Sequence, residues 1–123
     1  MYTLDTNAII YGFKRDPGAV NAIREIFAKS VPVYISTISE LELFAYPDLS
    51  ATETELIEEV LKTSSIIPVD SRIARIAGSL RRKYRIKSLD AAIAATALMT
   101  GSILLTRNIK DFRKVPNLQL RKI

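Results

Sequence analysis

Three carboxylates, Asp5, Glu42 and Asp90, stand where the pattern of the chain changes from strand to helix. Asp5 follows the β-prone run Tyr2-Thr3-Leu4, Glu42 falls in the first turn expected after Val33-Tyr34-Ile35, and Asp90 opens the apolar stretch Leu89 to Met99. Carboxylates brought to one rim repel one another unless a cation lies between them. A cation with open coordination positions activates water and offsets charge on a phosphodiester under in-line attack. The chain contains no Cys and no His. Thiol nucleophiles, thiolate sites, the usual general base and the commonest zinc ligand are therefore absent. An oxygen-only ligand set suits hard cations such as Mg²⁺ or Mn²⁺.

Each acid has an ordinary role open to it as well. Asp5 has the position of a helix cap, and Ser39-x-x-Glu42 has the spacing of a capping box. Asp90 suits the positive end of a helix dipole. Glu40 competes with Glu42, since residues two apart on a helix point in different directions. Further along, Thr106-Arg107-Asn108-Ile109-Lys110-Asp111-Phe112 follows an apolar run, and Asn108 and Asp111 both read as turn residues.

The elements that must position these groups alternate. Tyr2-Thr3-Leu4, Val33-Tyr34-Ile35, Ile66-Ile67-Pro68-Val69, Ile103-Leu104-Leu105-Thr106 and Leu118-Gln119-Leu120 read as short strands, with Pro68 favouring an edge or a terminus. Thr6 or Asn7 is expected to cap a helix through Ala8-Ile9-Ile10. Pro17 opens another, on which Val20, Ile23 and Phe27 share a face. A helix is expected from near Ser39, and Ser50 or Thr52 caps the next, with Glu53 or Glu55 three residues on. Ile73, Ile76, Ala77, Leu80 and Tyr84 make Ser71 to Arg85 amphipathic. Leu89 to Met99 is apolar all round apart from Asp90 and Thr96, so it predicts a central, buried helix that Gly101 stops. Strands alternating with helices imply an α/β fold: a parallel sheet covered on both faces, with its ligand site at the carboxyl ends of the strands.

A chain of 123 residues, 48% of them apolar, is expected to form one domain over residues 1–123. No apolar run approaches the ~20 residues that span a bilayer, and the start Met1-Tyr2-Thr3-Leu4-Asp5 lacks a signal-peptide pattern, so a soluble cytoplasmic protein is expected. The net charge of +5 is unevenly spread. Val31 to Leu61 holds seven acids and no Lys or Arg, whereas from Lys62 onward fourteen basic residues face three acids. A basic half suits a polyanion or a solvated surface equally. Within it, Arg81, Arg82, Lys83, Arg85 and Lys87 lead directly to Asp90, while Tyr84 continues the apolar stripe. The four glycines are scattered and form no phosphate-cradling GxxxxGK[ST] loop, which counts against a phosphotransferase of that kind.

Four stretches, Leu4 to Asn7, Ile35 to Leu43, Leu89 to Ala97 and Leu105 to Phe112, together resemble the PIN-domain nucleases, and among them the VapC-type toxins of toxin–antitoxin pairs. They occur in family order over essentially the whole chain. The resemblance implies a PIN-like α/β/α sandwich with an acidic pocket for Mg²⁺ or Mn²⁺, and an endonuclease acting on RNA. It assigns the first three acids to Asp5, Glu42 and Asp90, preferring Glu42 to Glu40 by its distance from Ser39. It places Thr6, Asn7 and Thr106 along the pocket. Asn108 departs from the pattern, since many relatives carry Asp there; Asn adds no charge, so Asp111 becomes the candidate for a secondary fourth acid. The resemblance further implies a cognate antitoxin that blocks the pocket, and a homodimer. Arg81, Arg82, Lys83, Arg85 and Lys87 would then steer RNA. The rival expectations are a non-catalytic nucleic-acid-binding domain and an RNA-processing PIN nuclease without an antitoxin.

Overall fold

Five strands form one sheet in the order β3-β2-β1-β4-β5, every neighbouring pair parallel. The computed structural model describes all residues, 1–123. The strands are β1 (Tyr2–Leu4), β2 (Val33–Ser36), β3 (Ser65–Ile67), β4 (Ile103–Thr106) and β5 (Leu120–Lys122). The helices are α1 (Thr6–Phe13), α2 (Pro17–Ala28), α3 (Thr37–Phe44), α4 (Ala51–Lys62), α5 (Ser71–Tyr84), α6 (Ser88–Thr100) and the single turn α7 (Ile109–Phe112). The chain builds outward from β1 to β2 and β3, then crosses back to lay β4 on the other side of β1. Strand order reverses between β1 and β4, and such a reversal opens a crevice at the carboxyl ends of the two strands.

Strand side chains alternate between two apolar cores. Tyr2, Leu4, Val33, Ile35 and Leu105 meet Ala8, Ile9 and Phe13 of α1, Ala22 and Ile26 of α2, Leu43 of α3 and Ile57 of α4. On the opposite face Leu104 meets Ile73, Ala77 and Leu80 of α5, the alanines of α6 and Phe112 of α7. Helices thus cover both faces, as the alternating pattern predicts. Ala91 through Ala97 are all buried, because small side chains let α6 lie close to both the sheet and α5. Gly101 ends α6 in the left-handed region at φ 64°, where a side chain would be strained. Gly12 lets α2 approach α1: a Cβ there would stand 3.0 Å from Ile23 Cδ1.

Several local expectations are corrected. α3 begins at Thr37, not near Ser39, because Ser36 caps it by accepting from the Ile38 N–H. Ser39 and Glu42 therefore lie inside the helix, and no capping box joins them. α1 is capped in backbone geometry by Asp5 rather than Thr6 or Asn7, and the Asp5 side chain makes no cap bond. In α2 Val20, Ile23 and Phe27 share a half-buried side as their spacing predicts, and Ala19, Ala22 and Ile26 beside them are its most buried positions. β3 stops before Pro68, at the sheet edge where a proline is tolerated. β5 starts two residues later than expected, because Asn117 takes a left-handed turn at φ 66° and Leu118 and Gln119 lead into the strand. Of the alternatives at α4, Ser50 and Glu53 form the reciprocal box.

Close packing of α6 makes it intolerant of added volume. Ala94→Leu is expected to cost about 1–3 kcal/mol of unfolding free energy, read as a lower urea midpoint at unchanged slope. An unchanged midpoint would mean that α6 has slack against the sheet.

Candidate active site

Asp5 leaves β1 at its carboxyl end and is almost fully buried, 3% exposed. Its backbone N–H donates to the Leu105 carbonyl at 3.0 Å, which ties it to the adjacent β4. From the end of β4 the Thr106 hydroxyl donates to Asp5 Oδ2 at 2.8 Å, and Thr106 Oγ1 in turn accepts from the Asn108 N–H at 2.9 Å. Glu42 enters from α3. The Thr6 hydroxyl donates to Glu42 Oε1 at 2.7 Å and lies 2.8 Å from the buried Ser39 hydroxyl. A hydroxyl carries one proton, so the Thr6 O–H is shared between the Glu42 carboxylate and Ser39 Oγ, both of which accept from it. Asp90 is the third residue of α6 and half-buried.

Charge shows that these acids share one space. Asp5 is pushed up to about 6, first by burial and then by the charges of Asp90 and Glu42; hydrogen bonds from Thr106 and the Thr6 backbone act against the rise. Asp90 is also raised, by burial first, then by Glu42 and Asp111, with Lys87 pulling back. Asp111 moves the other way. The Asn108 amide donates to Asp111 Oδ2 at 3.0 Å, and this bond, aided by Lys114, Lys87 and Lys110, holds Asp111 below the usual carboxylate range. Burial and like charge disfavour ionisation where Asp5 and Asp90 meet.

Asp5, Glu42 and Asp90 are thus mutual neighbours by charge, and Asp111 joins through Asp90. Glu42, not Glu40, is among the main charges that raise Asp5 and Asp90. No three carboxylates stand at coordinating spacing. The donor chemistry nonetheless fits a hard cation: every candidate ligand is oxygen, and a positive ion would relieve the repulsion that raises Asp5 and Asp90. Thr6 and Thr106 donate to Glu42 and Asp5, whereas Asn7 is exposed on the first turn of α1. Within the basic run, Arg82, Lys83, Arg85 and Lys87 are exposed, and Lys87 is the member whose charge reaches Asp90. Arg81 is exposed too, but its guanidinium donates to the Ile86 carbonyl at 3.1 Å and steadies the α5–α6 turn.

A family model described as PIN domain matches residues 2–118. The chain belongs to the PIN domain family. Among similar proteins, Ribonuclease VapC2 of Rickettsia felis is 30% identical over 128 residues, covering 98% of this chain and 96% of that protein. Ribonuclease VapC19 of Mycobacterium tuberculosis is 30% identical over 124 residues, covering 97% and 98%. The crystal structure of VapBC2 from Rickettsia felis bound to a promoter DNA fragment matches with a TM-score of 0.82 at 27% identity, over 99% of this chain and 98% of that one. A toxin–antitoxin complex from Klebsiella pneumoniae matches with a TM-score of 0.81 at 31% identity, over 96% and 95%. The PIN-like α/β/α fold and the VapC-type resemblance expected from the four sequence stretches are therefore both found.

Two polar residues near this PIN domain's acids, Ser39 and Arg107, were not legible as such in the sequence. Ser39 was weighed only as a cap, although its buried hydroxyl supports Thr6. Arg107 was passed over; its guanidinium pairs with Asp16, ninety-one positions away, and no local pattern signals such a partner.

The raised Asp5 has a stability consequence. Its unfolded carboxyl titrates near 3.9 and its folded one near 6. The native state binds the extra proton between those values, so stability falls as pH rises through that window and the penalty is complete above it. With metal chelated, Asp5→Asn is expected to raise stability at pH 7.5 by about 2 kcal/mol, with the gain vanishing toward pH 4. Denaturant melts in EDTA across this range test it. An equal loss of stability at both ends would show that Asp5 is not strained by its charge.

Proposed function

We propose that this PIN domain is the ribonuclease toxin of a type II toxin–antitoxin pair, a Mg²⁺- or Mn²⁺-dependent endonuclease that hydrolyses RNA phosphodiester bonds. The observation that carries the reading is the buried Asp5 at the β1/β4 crevice, its charge opposed by Asp90 and Glu42. The VapC ribonucleases of the same length and fold support it.

Asp5, Glu42 and Asp90 would hold the cation. When bound, it would supply a lowered pKa to water and a positive charge opposite the leaving oxygen. Thr106 fixes the Asp5 carboxylate and Thr6 fixes Glu42, so both enter the site with one oxygen already oriented. Asp111, oriented by Asn108, is a secondary member that adds charge beside Asp90. Arg82, Lys83, Arg85 and Lys87 line the approach and attract RNA phosphates, with Arg81 bracing the turn that presents them.

Partners follow from the relatives and from two surfaces. A cleft of about 230 Å³ between α1, α2 and α4, walled by Ile9, Phe13, Ile23, Leu56 and Val60, offers an apolar seat for an antitoxin segment. The toxin–antitoxin complexes among the similar structures favour that occupant. Leu41 and Phe44, exposed on α3, offer apolar surface to a second copy in a homodimer. No helix is long and apolar enough to cross a membrane, and the proposed site of action is the cytoplasm.

The test is cleavage of a mixed RNA pool with Mg²⁺, Mn²⁺ or EDTA. Wild type is expected to cut only with metal, Asp5→Asn to lose on the order of 100-fold or more, and Asp111→Asn to lose about 10-fold or less. Equal losses for the two variants would overturn the ranking of Asp111. RNA binding without cutting, unchanged in Asp5→Asn, would instead identify a non-catalytic RNA-binding domain.

A further inference from the structure

The loop leaving β4 carries two pocket residues with a cation between them. Thr106 bonds Asp5 and Asn108 bonds Asp111, while Arg107 reaches away to the corner between α1 and α2. Its Nη1 donates to Asp16 Oδ1 at 3.3 Å and its Nη2 to Asp16 Oδ2 at 2.6 Å. The guanidinium carbon lies 4.1 Å from the centroid of the Tyr11 ring. Both anchors are themselves fixed. Asp16 caps α2 by accepting from the Ala19 N–H at 3.0 Å, and its own N–H donates to the Tyr11 carbonyl at 2.9 Å.

A planar fork meeting both oxygens of a carboxylate while lying on an aromatic face fixes orientation more strictly than a single-point ion pair. Both side chains are about one-third exposed (32% and 30%), so the pair contributes little to overall stability. Its consequence is local, since Arg107 is covalently between the two residues that orient Asp5 and Asp111. We infer that the Arg107–Asp16–Tyr11 clasp positions the β4–α7 loop, so that Arg107 and Asp16 are positioning residues for the acidic pocket. The inference rests on the nuclease reading for its effect on rate, but not for its effect on loop order. Asp16 occupies both arms of the guanidinium, so Arg107 is committed to the corner rather than to substrate.

Asp16→Asn keeps a good helix cap while removing the charge, and Arg107→Gln removes the fork. Three readouts are needed on each variant and on the double variant: maximal rate and KM for RNA, Mn²⁺ affinity by calorimetry without RNA, and hydrogen exchange of the Asn108 amide. Each single variant is expected to lower the maximal rate and weaken Mn²⁺ binding about 10- to 100-fold, with KM little changed. Exchange at Asn108 should quicken, and the double variant should be no worse than the weaker single one. A raised KM in Arg107→Gln, with Asp16→Asn unimpaired, would make Arg107 a phosphate contact and overturn the inference. A lowered melting temperature with rate, Mn²⁺ affinity and exchange unchanged would overturn it too. Should wild type neither cut RNA nor bind Mn²⁺, the proposed function fails, and exchange at Asn108 alone then decides for or against the clasp.

Discussion

Negative charge held out of water at the carboxyl ends of parallel strands is the constraint around which this chain is arranged. Asp5 is buried between β1 and β4, Asp90 and Glu42 press their charges on it, and burial raises the cost of every ionised oxygen. The fold supplies partial relief without a cation. α1, α3 and α7 begin just after the exits of β1, β2 and β4, Asp90 lies in the first turn of α6, and helix N-termini carry partial positive charge. Hydroxyls from Thr6 and Thr106 donate to the carboxylates directly, and no buried side-chain nitrogen or oxygen is left without a partner. The residual penalty, visible in the raised Asp5 and Asp90, is the one a divalent ion would remove.

The scaffold explains why that charge can be concentrated at all. A reversal of strand order places β1 and β4 side by side with their connections on opposite sides, which leaves an opening at their ends rather than a covering loop. The alanine-rich α6 packs tightly enough to bring Asp90 to the same rim, and two apolar cores on opposite sheet faces hold the frame. Rigid elements therefore carry Asp5, Glu42 and Asp90, while the one loop that contributes, from Thr106 to Asn108, is tied by Thr106 within and by Arg107 outside.

Much of this was legible from residue pattern. Period-two and helical spacing marked the alternation of strands and helices, and the apolar run around Asp90 announced a central helix. The four family-like stretches pointed to the family and the fold that the family match and the similar structures then bore out. What escaped was set by competition between nearby residues of one type, or by long-range pairing. Ser36 and Ser39 both suit a cap, and the nearer one to β2 took it, which moved Glu42 into the body of α3. Asp5 sits where a cap belongs, yet its side chain turned to Thr106, a partner 101 positions away. Buried alanines at 19 and 22 of α2 carry a weaker apolar signal than Val20, Ile23 and Phe27, so local pattern did not mark them as its most buried positions.

The central question is whether the Asp5 carboxyl is strained by its charged neighbours and relaxed by a cation. Carbon-detected NMR titration of the Asp5 carboxyl, in EDTA and again in Mg²⁺, reads this at the atom concerned. A midpoint of about 6 without metal and a marked fall when Mg²⁺ is present are expected. A midpoint near the ordinary aspartate value, indifferent to Mg²⁺, would contradict both.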